Sequence, residues 1–204
     1  MSAAQTGRCT WAGDDPLYIH YHDTEWGVPQ TDDLKLFEKL ILEGFQAGLS
    51  WITILRKRPH FRKVFDGFQP EKIVRYNDKK IAALMVDPGI VRNKLKIEAT
   101  IDNAKAYLKL VERESLAHYI WEIAGGEPQQ NRHASMGTVQ PETPTSKAIS
   151  KALKAEGFRF VGPTTVYAFM QSMGMVNDHF IGCPQYGVCA AHARKFIMPK
   201  ARAS

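Results

Sequence analysis

The 204-residue chain has few cysteines, no excess of glycine or proline, and no long hydrophobic run. Three cysteines, an odd number, cannot form a disulfide framework, so we expect free thiols or metal ligands in a reducing compartment. With 15 Gly and 11 Pro, the composition excludes a low-complexity or fibrous protein. No stretch approaches the roughly 18 apolar residues of a membrane span, and the opening residues lack an export signal. We therefore expect a cytoplasmic protein without membrane association.

Several enzyme classes are excluded because their motifs are missing from the chain. The glycine-rich phosphate-binding patterns G-x-x-x-x-G-K-[ST] and G-x-G-x-x-G do not occur. The zinc protease motif H-E-x-x-H and the hydrolase motif G-x-S-x-G are also missing. The H-x-E and P-C-x-x-C strings of zinc deaminases are not found either.

Charge is distributed unevenly along the chain. The net charge is +6, but residues 1–50 hold three Lys/Arg against eight Asp/Glu, so they carry −5 and the remaining residues carry +11. Such asymmetry is typical of a protein that lays one basic face on a polyanion. A basic protein that is merely soluble is the alternative.

The hydrophobic pattern is helical almost throughout. Asp15-Pro16 and Thr31-Asp32-Asp33 are helix-start signals, and the second precedes one long apolar-rich helix from Leu34 to Leu55. Further helices are predicted at 59–65, 70–76, 78–86, 90–111, 115–124, 145–156 and 163–174. No alternating strand pair is found, and Gly125 to Thr145 is predicted to be a long loop. The sequence therefore predicts one all-α domain of eight or nine helices over residues 1–204.

Four residues of metal-ligand type lie near the two ends of the chain. They are Cys9, His22, His179 and Cys183. Two nitrogens and two sulfurs match a closed, tetrahedral structural zinc site, and a helical H-x-x-x-C segment would place its two ligands on one side. Unrelated buried cysteines and surface histidines are the alternative, and Cys189 with His192 forms a competing pair.

A basic helical hairpin is predicted at residues 79–96, KKIAALMVDPGIVRNKLK, with a tight Asp87-Pro88-Gly89 turn. We expect its second helix to begin at or near Ile90. Turn N–H groups and a helix N-terminus can hold a phosphate, with charge supplied by Lys79, Lys80, Arg92, Lys94 and Lys96. An ordinary helix connection with a solvated basic face is the alternative.

Aromatic residues cluster around the first two predicted helices. Tyr18 and Tyr21 are three residues apart and share one helix face, Trp26 follows them, and Trp51 ends the stretch G-L-S-W in the long apolar run. Flat rings can sandwich a nucleic-acid base, but aromatic side chains also pack in hydrophobic cores. The spacing is compatible with both uses.

Glu43 borders the apolar stripe of the long helix, which is predicted to hold Leu36, Leu40, Ala47 and Trp51. This position could draw its carboxylate into an apolar interior. The same arc holds Lys39, so an exposed i, i+4 ion pair is the alternative.

Five segments taken together make the chain resemble the type I 3-methyladenine DNA glycosylases. They are R-C-T-W at 8–11, D-P-L-Y-I-H-Y-H-D-T-E-W-G-V-P at 15–29, L-E-G-F-Q-A-G-L-S-W at 42–51, F-V-G-P-T from Phe160, and G-M-V-N-D-H at 174–179. The resemblance runs from Arg8 to Cys183 and leaves the basic tail, 184–204, without an interpretation.

The resemblance implies a helix-hairpin-helix glycosylase fold whose two ends are clamped by one structural zinc. The implied ligands are Cys9, His22, His179 and Cys183. The family's hairpin corresponds to Asp87-Pro88-Gly89-Ile90, although the fuller L-P-G-x-G consensus is absent. Expected DNA contacts are Pro88, Gly89, Arg92 and Lys94.

The resemblance also implies a base pocket in which Glu43 is the catalytic residue. Its binding residues would be Tyr18, Tyr21 and Trp51, supported by Trp26. The catalytic aspartate of the wider superfamily is missing from type I enzymes, and no aspartate is nominated for that role here.

The expected activity is hydrolytic release of free 3-methyladenine from alkylated double-stranded DNA by a monomeric enzyme. A lyase step is not expected, since it normally needs an amine nucleophile and the resemblance nominates no lysine. The alternative is a non-catalytic, zinc-stabilised nucleic-acid-binding module. Glu43 distinguishes the two, because a pure binding module needs no acid beside a stacking pocket.

Overall fold

The computed structural model describes residues 7–201, and α-helices account for most of this part of the chain. They are α1 (Pro16–Thr24), α2 (Asp33–Gln46), α3 (Trp51–Val64), α4 (Pro70–Ile73), α5 (Asp78–Val86), α6 (Lys94–Val111), α7 (Leu116–Ile123), α8 (Pro144–Ala155), α9 (Pro163–Ser172) and α10 (Pro184–Arg194). The predicted helical architecture is confirmed. Residues 1–6 and 202–204, which belong to the predicted domain and its tail, lie outside the described residues.

Local capping explains why several helices begin where the sequence predicts. The Asp15 carboxylate accepts hydrogen bonds from Leu17 N and Tyr18 N, at 2.9 and 3.3 Å, and Pro16 occupies the first turn of α1. The side chain of Asn77 caps α5 in the same way, by accepting from Lys80 N at 3.1 Å. Side-chain acceptors at these positions satisfy N–H groups that have no partner within the helix.

The long apolar run is not one helix, as predicted, but two. Gly48 has φ +85°, in the left-handed region that favours glycine, and Ser50 is the N-terminal cap residue of α3. Helix α3 then continues through Pro59 to Val64 and includes the helix predicted at 59–65. The apolar pattern persists across the turn because both helices pack into the core, so periodicity alone does not reveal the break.

Helix α2 is the central element, and it packs against α3, α6, α7 and α9. Nine of its fourteen residues are buried. At its first turn, the Asp33 carboxylate accepts hydrogen bonds from Leu116 N and Ala117 N and so caps α7, at 3.2 and 2.8 Å. Both the burial and this cap fix the N-terminal end of α2 to its neighbours.

A buried lysine fixes the other end of α2. Lys96 Nζ, from α6, donates to the backbone oxygens of Phe45 and Ala47 at 2.9 and 2.8 Å. These carbonyls belong to the last turn of α2 and have no partner within that helix. The prediction that Lys96 contributes to a basic phosphate-binding face is therefore wrong.

A small sheet connects the long loop to the segment after α9. Strand β1 (Gln129–Gln130) pairs in parallel with β2 (Val176–Asn177). No strand pair is predicted from the sequence, because two-residue strands are too short to show alternation. In the described part of the chain, no helix is long and apolar enough to cross a membrane.

The tail that the sequence leaves without an interpretation contains the last helix. Pro184 occupies the first turn of α10, and Phe196, just beyond it, packs on Trp121 with ring centroids 4.2 Å apart. Residues 184–201 are thus tied to the core by a helix and an aromatic contact.

Replacing Lys96 by Met should destabilise the fold by about 1.5–3 kcal/mol. The substitution removes a charged donor and leaves the Phe45 and Ala47 carbonyls without it. Urea unfolding followed by circular dichroism measures the change. Lys94→Met is the matched control, because Lys94 is exposed on the same helix and should change stability by no more than about 0.5 kcal/mol. Equal effects of the two variants would contradict the capping role.

Candidate active site and metal centre

An open cavity of about 240 Å³, here called the aromatic pocket, lies against α1, α2 and α9. Its lining consists of Trp11, Tyr18, Tyr21, Trp26, Glu43, Gln46, Trp51, Met136, Val139, Ala168, Gln171 and Asp178. The volume is below the roughly 300–1,000 Å³ of pockets for drug-sized ligands. A single small, flat molecule suits this space.

The four aromatic residues predicted to bind a base all line this pocket. The Tyr21 and Trp51 rings lie 5.5 Å apart, and Tyr18 lies 6.4 Å from Tyr21. Sequence reasoning missed Trp11, whose ring lies 5.1 Å from Tyr18 and 4.9 Å from Trp26. Its place in R-C-T-W, two residues after Cys9, is the signal that could have found it.

The turn between α2 and α3 brings Trp51 to the pocket. Trp51 does not lie on the stripe of the helix that carries Glu43, as the sequence pattern predicts, but begins the following helix. The reversal of the chain at Gly48 places its ring beside Tyr21. Trp51 Nε1 is buried and has no hydrogen-bond acceptor among residues 7–201.

Glu43 and Lys39 form a buried ion pair. Lys39 Nζ lies 3.0 Å from Glu43 Oε1, and the two residues are only 5% and 4% exposed. The two interpretations of Glu43 are thus each half right, since the carboxylate is drawn inside and its lysine partner is buried with it. Burial raises the pKa of Glu43 while Lys39 opposes that rise, and burial lowers the pKa of Lys39 to about 8.

Asp178 is a second buried carboxylate on the lining, 1% exposed, which sequence reasoning did not nominate. It accepts hydrogen bonds from Asn131 Nδ2, Tyr167 Oη and Gln171 Nε2 at 2.6, 2.7 and 2.7 Å. Asn131 belongs to the long loop, whose Val139 also lines the pocket. Asp178 therefore ties that loop to α9 and shapes one side of the pocket.

The four predicted metal ligands come together in one buried cluster. The ligand atoms of Cys9, His22, His179 and Cys183 all lie within 4.8 Å of one another. His179 Nδ1 is 3.6 Å from Cys9 Sγ and 3.7 Å from Cys183 Sγ, and Cys183 Sγ is 3.7 Å from His22 Nε2. This group could hold one metal ion.

The surroundings of the cluster orient the two histidines. His179 Nε2 donates to the backbone oxygen of Trp26 at 3.0 Å, and His22 Nδ1 lies 2.7 Å from Asp23 Oδ1. The opposite ring nitrogen of each histidine is thereby directed into the cluster, as is usual around protein metal ions. The hydrogen bond between Cys9 and Cys183 raises the pKa of Cys9 and lowers that of Cys183, so one of the two sulfurs is favoured as the thiolate that metals bind.

The route by which His179 and Cys183 meet differs from the prediction. Their segment is a turn, closed by Cys183 N donating to Phe180 O at 2.7 Å, and not a helix. The competing pair lies outside the cluster, since Cys189 contacts Trp26 O at 3.9 Å and His192 is exposed.

The predicted hairpin is present, but its details differ. Helix α6 begins at Lys94 and not near Ile90, because the Asn93 side chain caps it through Lys96 N at 3.2 Å. Gly89 N already donates to the Asp87 carboxylate at 2.7 Å, so this N–H is not available to a phosphate.

The rest of the turn is packed on α3. A side chain at Gly89 would collide with the ring of His60, 2.2 Å from an added Cβ, so glycine is required here for close packing. His60 Nε2 in turn lies 2.8 Å from Asp87 Oδ2. Arg92 and Lys94 remain exposed beside this turn.

Comparisons with known proteins place this architecture in a family. The methyladenine glycosylase family model matches residues 11–186. The chain is 47% identical over 180 residues to DNA-3-methyladenine glycosylase 1 of Escherichia coli, covering 88% of this chain and 96% of that protein. The chain belongs to the methyladenine glycosylase family.

Solved structures of methyladenine glycosylases share its fold. A crystal structure of 3-methyladenine DNA glycosylase I superposes with a TM-score of 0.85 at 49% identity, covering 87% of this chain and 98% of that one. The Staphylococcus aureus 3-methyladenine DNA glycosylase I, whose structure describes 3-methyladenine recognition, gives 0.85 at 35% identity, covering 90% and 98%. The identification of the chain as an enzyme of this methyladenine glycosylase family is confirmed, and the non-catalytic alternative is not retained.

Most of α10 lies beyond the part matched by the methyladenine glycosylase family model. Its buried Cys189 lies beside the cluster of Cys9, His22, His179 and Cys183, since a Cβ added at Gly27 would be 3.1 Å from Cys189 Sγ and 3.0 Å from His179 Nε2. Helix α10 thus lies beside the cluster, and among the described residues it supplies no ligand to it.

Proposed function

We propose that this chain releases free 3-methyladenine from alkylated double-stranded DNA by hydrolysis of the N-glycosidic bond. The observation that carries the proposal is Glu43, a buried carboxylate on the wall of a pocket otherwise formed largely by aromatic rings. The names of the relatives support the same lesion. Such an enzyme extrudes the damaged nucleotide from the duplex and encloses its base.

The aromatic rings suit a cationic base. Methylation at N3 gives adenine in DNA a positive charge and makes it a good leaving group, so a strong general acid is unnecessary. A cation over an aromatic ring gains about 0.5–2 kcal/mol beyond burial, which favours the alkylated base over adenine. Tyr18, Tyr21, Trp26 and Trp51 are the proposed binding residues.

Glu43 supplies the negative charge that this cation requires. Its carboxylate can accept hydrogen bonds from the purine edge, and burial strengthens the interaction. An unmatched buried polar group is costly, so the pocket rejects bases that do not offer the complementary donors.

A monofunctional enzyme without a lyase step is proposed from the position of Lys39. A lyase needs an amine that can reach the sugar. Lys39, the lysine nearest Glu43, is not part of the pocket lining, and its Nζ is engaged by Glu43 Oε1 and Tyr21 Oη. None of the other lysines within residues 7–201 lies on the pocket lining either.

Zinc is the proposed occupant of the Cys9, His22, His179 and Cys183 cluster. With bond lengths of about 2.3 Å to sulfur and 2.0–2.1 Å to nitrogen, tetrahedral zinc holds its sulfur and nitrogen ligands about 3.6 Å apart. Three sulfur-to-nitrogen distances in the cluster are 3.6, 3.7 and 3.7 Å, which agree with this spacing. Four protein ligands leave no open position, so zinc would stabilise the fold and take no part in the reaction.

We propose that α5, the turn and α6 form the helix-hairpin-helix unit that contacts DNA. Because Gly89 N is bonded to Asp87, we assign phosphate contacts mainly to Arg92 and Lys94, with Pro88 and Gly89 shaping the approach. A single domain, a monomeric state and a cytoplasmic location stay predictions from the sequence.

Replacing Glu43 by Gln should slow release of 3-methyladenine about 5- to 150-fold, equivalent to roughly 1–3 kcal/mol. Gln keeps the shape but removes the charge and turns one acceptor into a donor. Single-turnover release from methylated duplex DNA, with chromatography of the free base, measures the loss. Glu122→Gln is the matched control, since Glu122 is exposed on α7. Unchanged release by the Glu43 variant would overturn the proposal.

Trp51→Ala should instead weaken binding of the free base by about 1–3 kcal/mol, because the stacking surface of its ring is lost.

Purified protein should contain one zinc per chain, as measured by mass spectrometry of the metal. Cys183→Ser should lower the zinc content and the midpoint of thermal unfolding together, because binding to a closed site is linked to folding. Each kcal/mol lost corresponds to about 2–4 °C for a chain of this size. Cys189→Ser, the control, should leave the zinc content unchanged. A well-folded protein without zinc would refute the assignment.

Arg92→Ala and Lys94→Ala should each weaken duplex binding without changing which base is released, since phosphate contacts position the enzyme and do not specify sequence. Each should also reduce the salt dependence of binding, by about 0.9 in the log–log slope. Fluorescence anisotropy at several salt concentrations tests this. Lys109→Ala, exposed on α6 but about 22 Å from Lys94, should bind like the parent. Equal behaviour of all three variants would count against the hairpin.

A further inference from the structure

Lys39 is a buried cation to which the proposed chemistry gives no role. It lies one turn before Glu43 on α2 and is 5% exposed. Burial of an ammonium group is costly unless nearby groups compensate for the lost water. The groups that contact the ammonium therefore indicate the role of the lysine.

Its Nζ contacts three residues of the aromatic pocket at once. It lies 3.0 Å from Glu43 Oε1, donates to Tyr21 Oη at 2.9 Å, and is 3.2 Å from the centroid of the Trp51 ring. An ammonium has donors only, so the Tyr21 oxygen and the Glu43 carboxylate must both accept from it. One group thus fixes the carboxylate, the hydroxyl and the ring relative to each other.

The lysine occupies the far side of the pocket wall. Glu43 lines the aromatic pocket, whereas Lys39 lines a separate cavity of about 290 Å³ that shares Tyr21 with it. The ion pair is neutral as a whole, but its negative end faces the aromatic pocket and its positive end lies behind the rings. The orientation of the pair gives the pocket its negative side.

We propose that Lys39 is a positioning residue of the glycosylase, which holds Glu43 as an oriented, ionised carboxylate for the cationic base. This proposal rests on the function proposed above. Lys39 touches neither the base nor the sugar and acts through Glu43.

Among the groups around Glu43, Lys39 is the one that can keep its carboxylate ionised. From α1, Tyr18 and Tyr21 face Glu43, and burial raises the pKa of both hydroxyls, so they stay neutral. From α9, the Ser172 hydroxyl donates to the backbone oxygen of Phe169 at 2.9 Å and lowers the pKa of Glu43 less than Lys39 does. Arg58 of α3 is already paired with Glu25, at 2.5 and 2.7 Å, and acts on Lys39. Without Lys39, burial would drive Glu43 towards the neutral acid, which cannot complement a cation.

The first test is the pH dependence of single-turnover release by Lys39→Met. Loss of the ammonium raises the pKa of Glu43, so activity should disappear at low pH and recover as pH rises. The acid limb should move up by about 1–3 pH units, which is the shift typical of an opposite charge at this distance. Lys35→Met is the matched control, because Lys35 is exposed one turn earlier on α2 and should leave the profile unchanged.

Two further measurements separate positioning from mere support of the fold. Carbon-13 NMR of labelled glutamate carboxyls should report a higher pKa for Glu43 in Lys39→Met than in the parent. In a double-mutant cycle, Lys39→Met should have little further effect in the Glu43→Gln background. Lys39→Gln, which can still donate to Glu43 and Tyr21, should retain more activity than Lys39→Met.

The outcomes are distinct. A shifted acid limb, a raised Glu43 pKa and a non-additive cycle support the proposal. A pH profile like that of Lys35→Met, or an additive loss equal at every pH, overturns it. If the parent releases no 3-methyladenine, the proposed function fails, whereas the NMR titration still decides whether Lys39 controls the Glu43 carboxylate.

Discussion

The burial of α2 is the constraint on which the rest of the structure depends. Most of this helix faces apolar neighbours, and its two ends are tied to other helices by Asp33 and Lys96. A helix held in this way has a fixed rotation about its own axis. Lys39 and Glu43 therefore enter the interior together, as a pair that must satisfy itself. The candidate active site is thus made by the packing of the core and is not attached to its surface.

The aromatic pocket and the cluster of Cys9, His22, His179 and Cys183 share a wall. Trp26 lines the pocket, and its backbone oxygen accepts the hydrogen bond that orients His179. The ring of Trp11 packs 5.1 Å from that of His22. These two tryptophans therefore contact both the cluster and the interior of the pocket, although no ligand of the cluster lines it.

Sequence reasoning found the four clustered ligands and four of the pocket's aromatic residues, because the resemblance joins segments that are distant in the chain. It could not find features that depend on packing. The apolar arc of α2 contains both Lys39 and Glu43, so its pattern does not tell an exposed pair from a buried one. Lys96 looks like any basic residue until the end of α2 arrives beside it. Gly48 was the local sign of the helix break, but the apolar pattern on both sides concealed it.

The wall of the aromatic pocket is assembled from both ends of the chain. Trp11 comes from the first described residues, while Asp178 comes after nine of the ten helices described over residues 7–201. During synthesis, the lining of the cavity is therefore incomplete until residue 178 has left the ribosome, after nine of the ten described α-helices have been made.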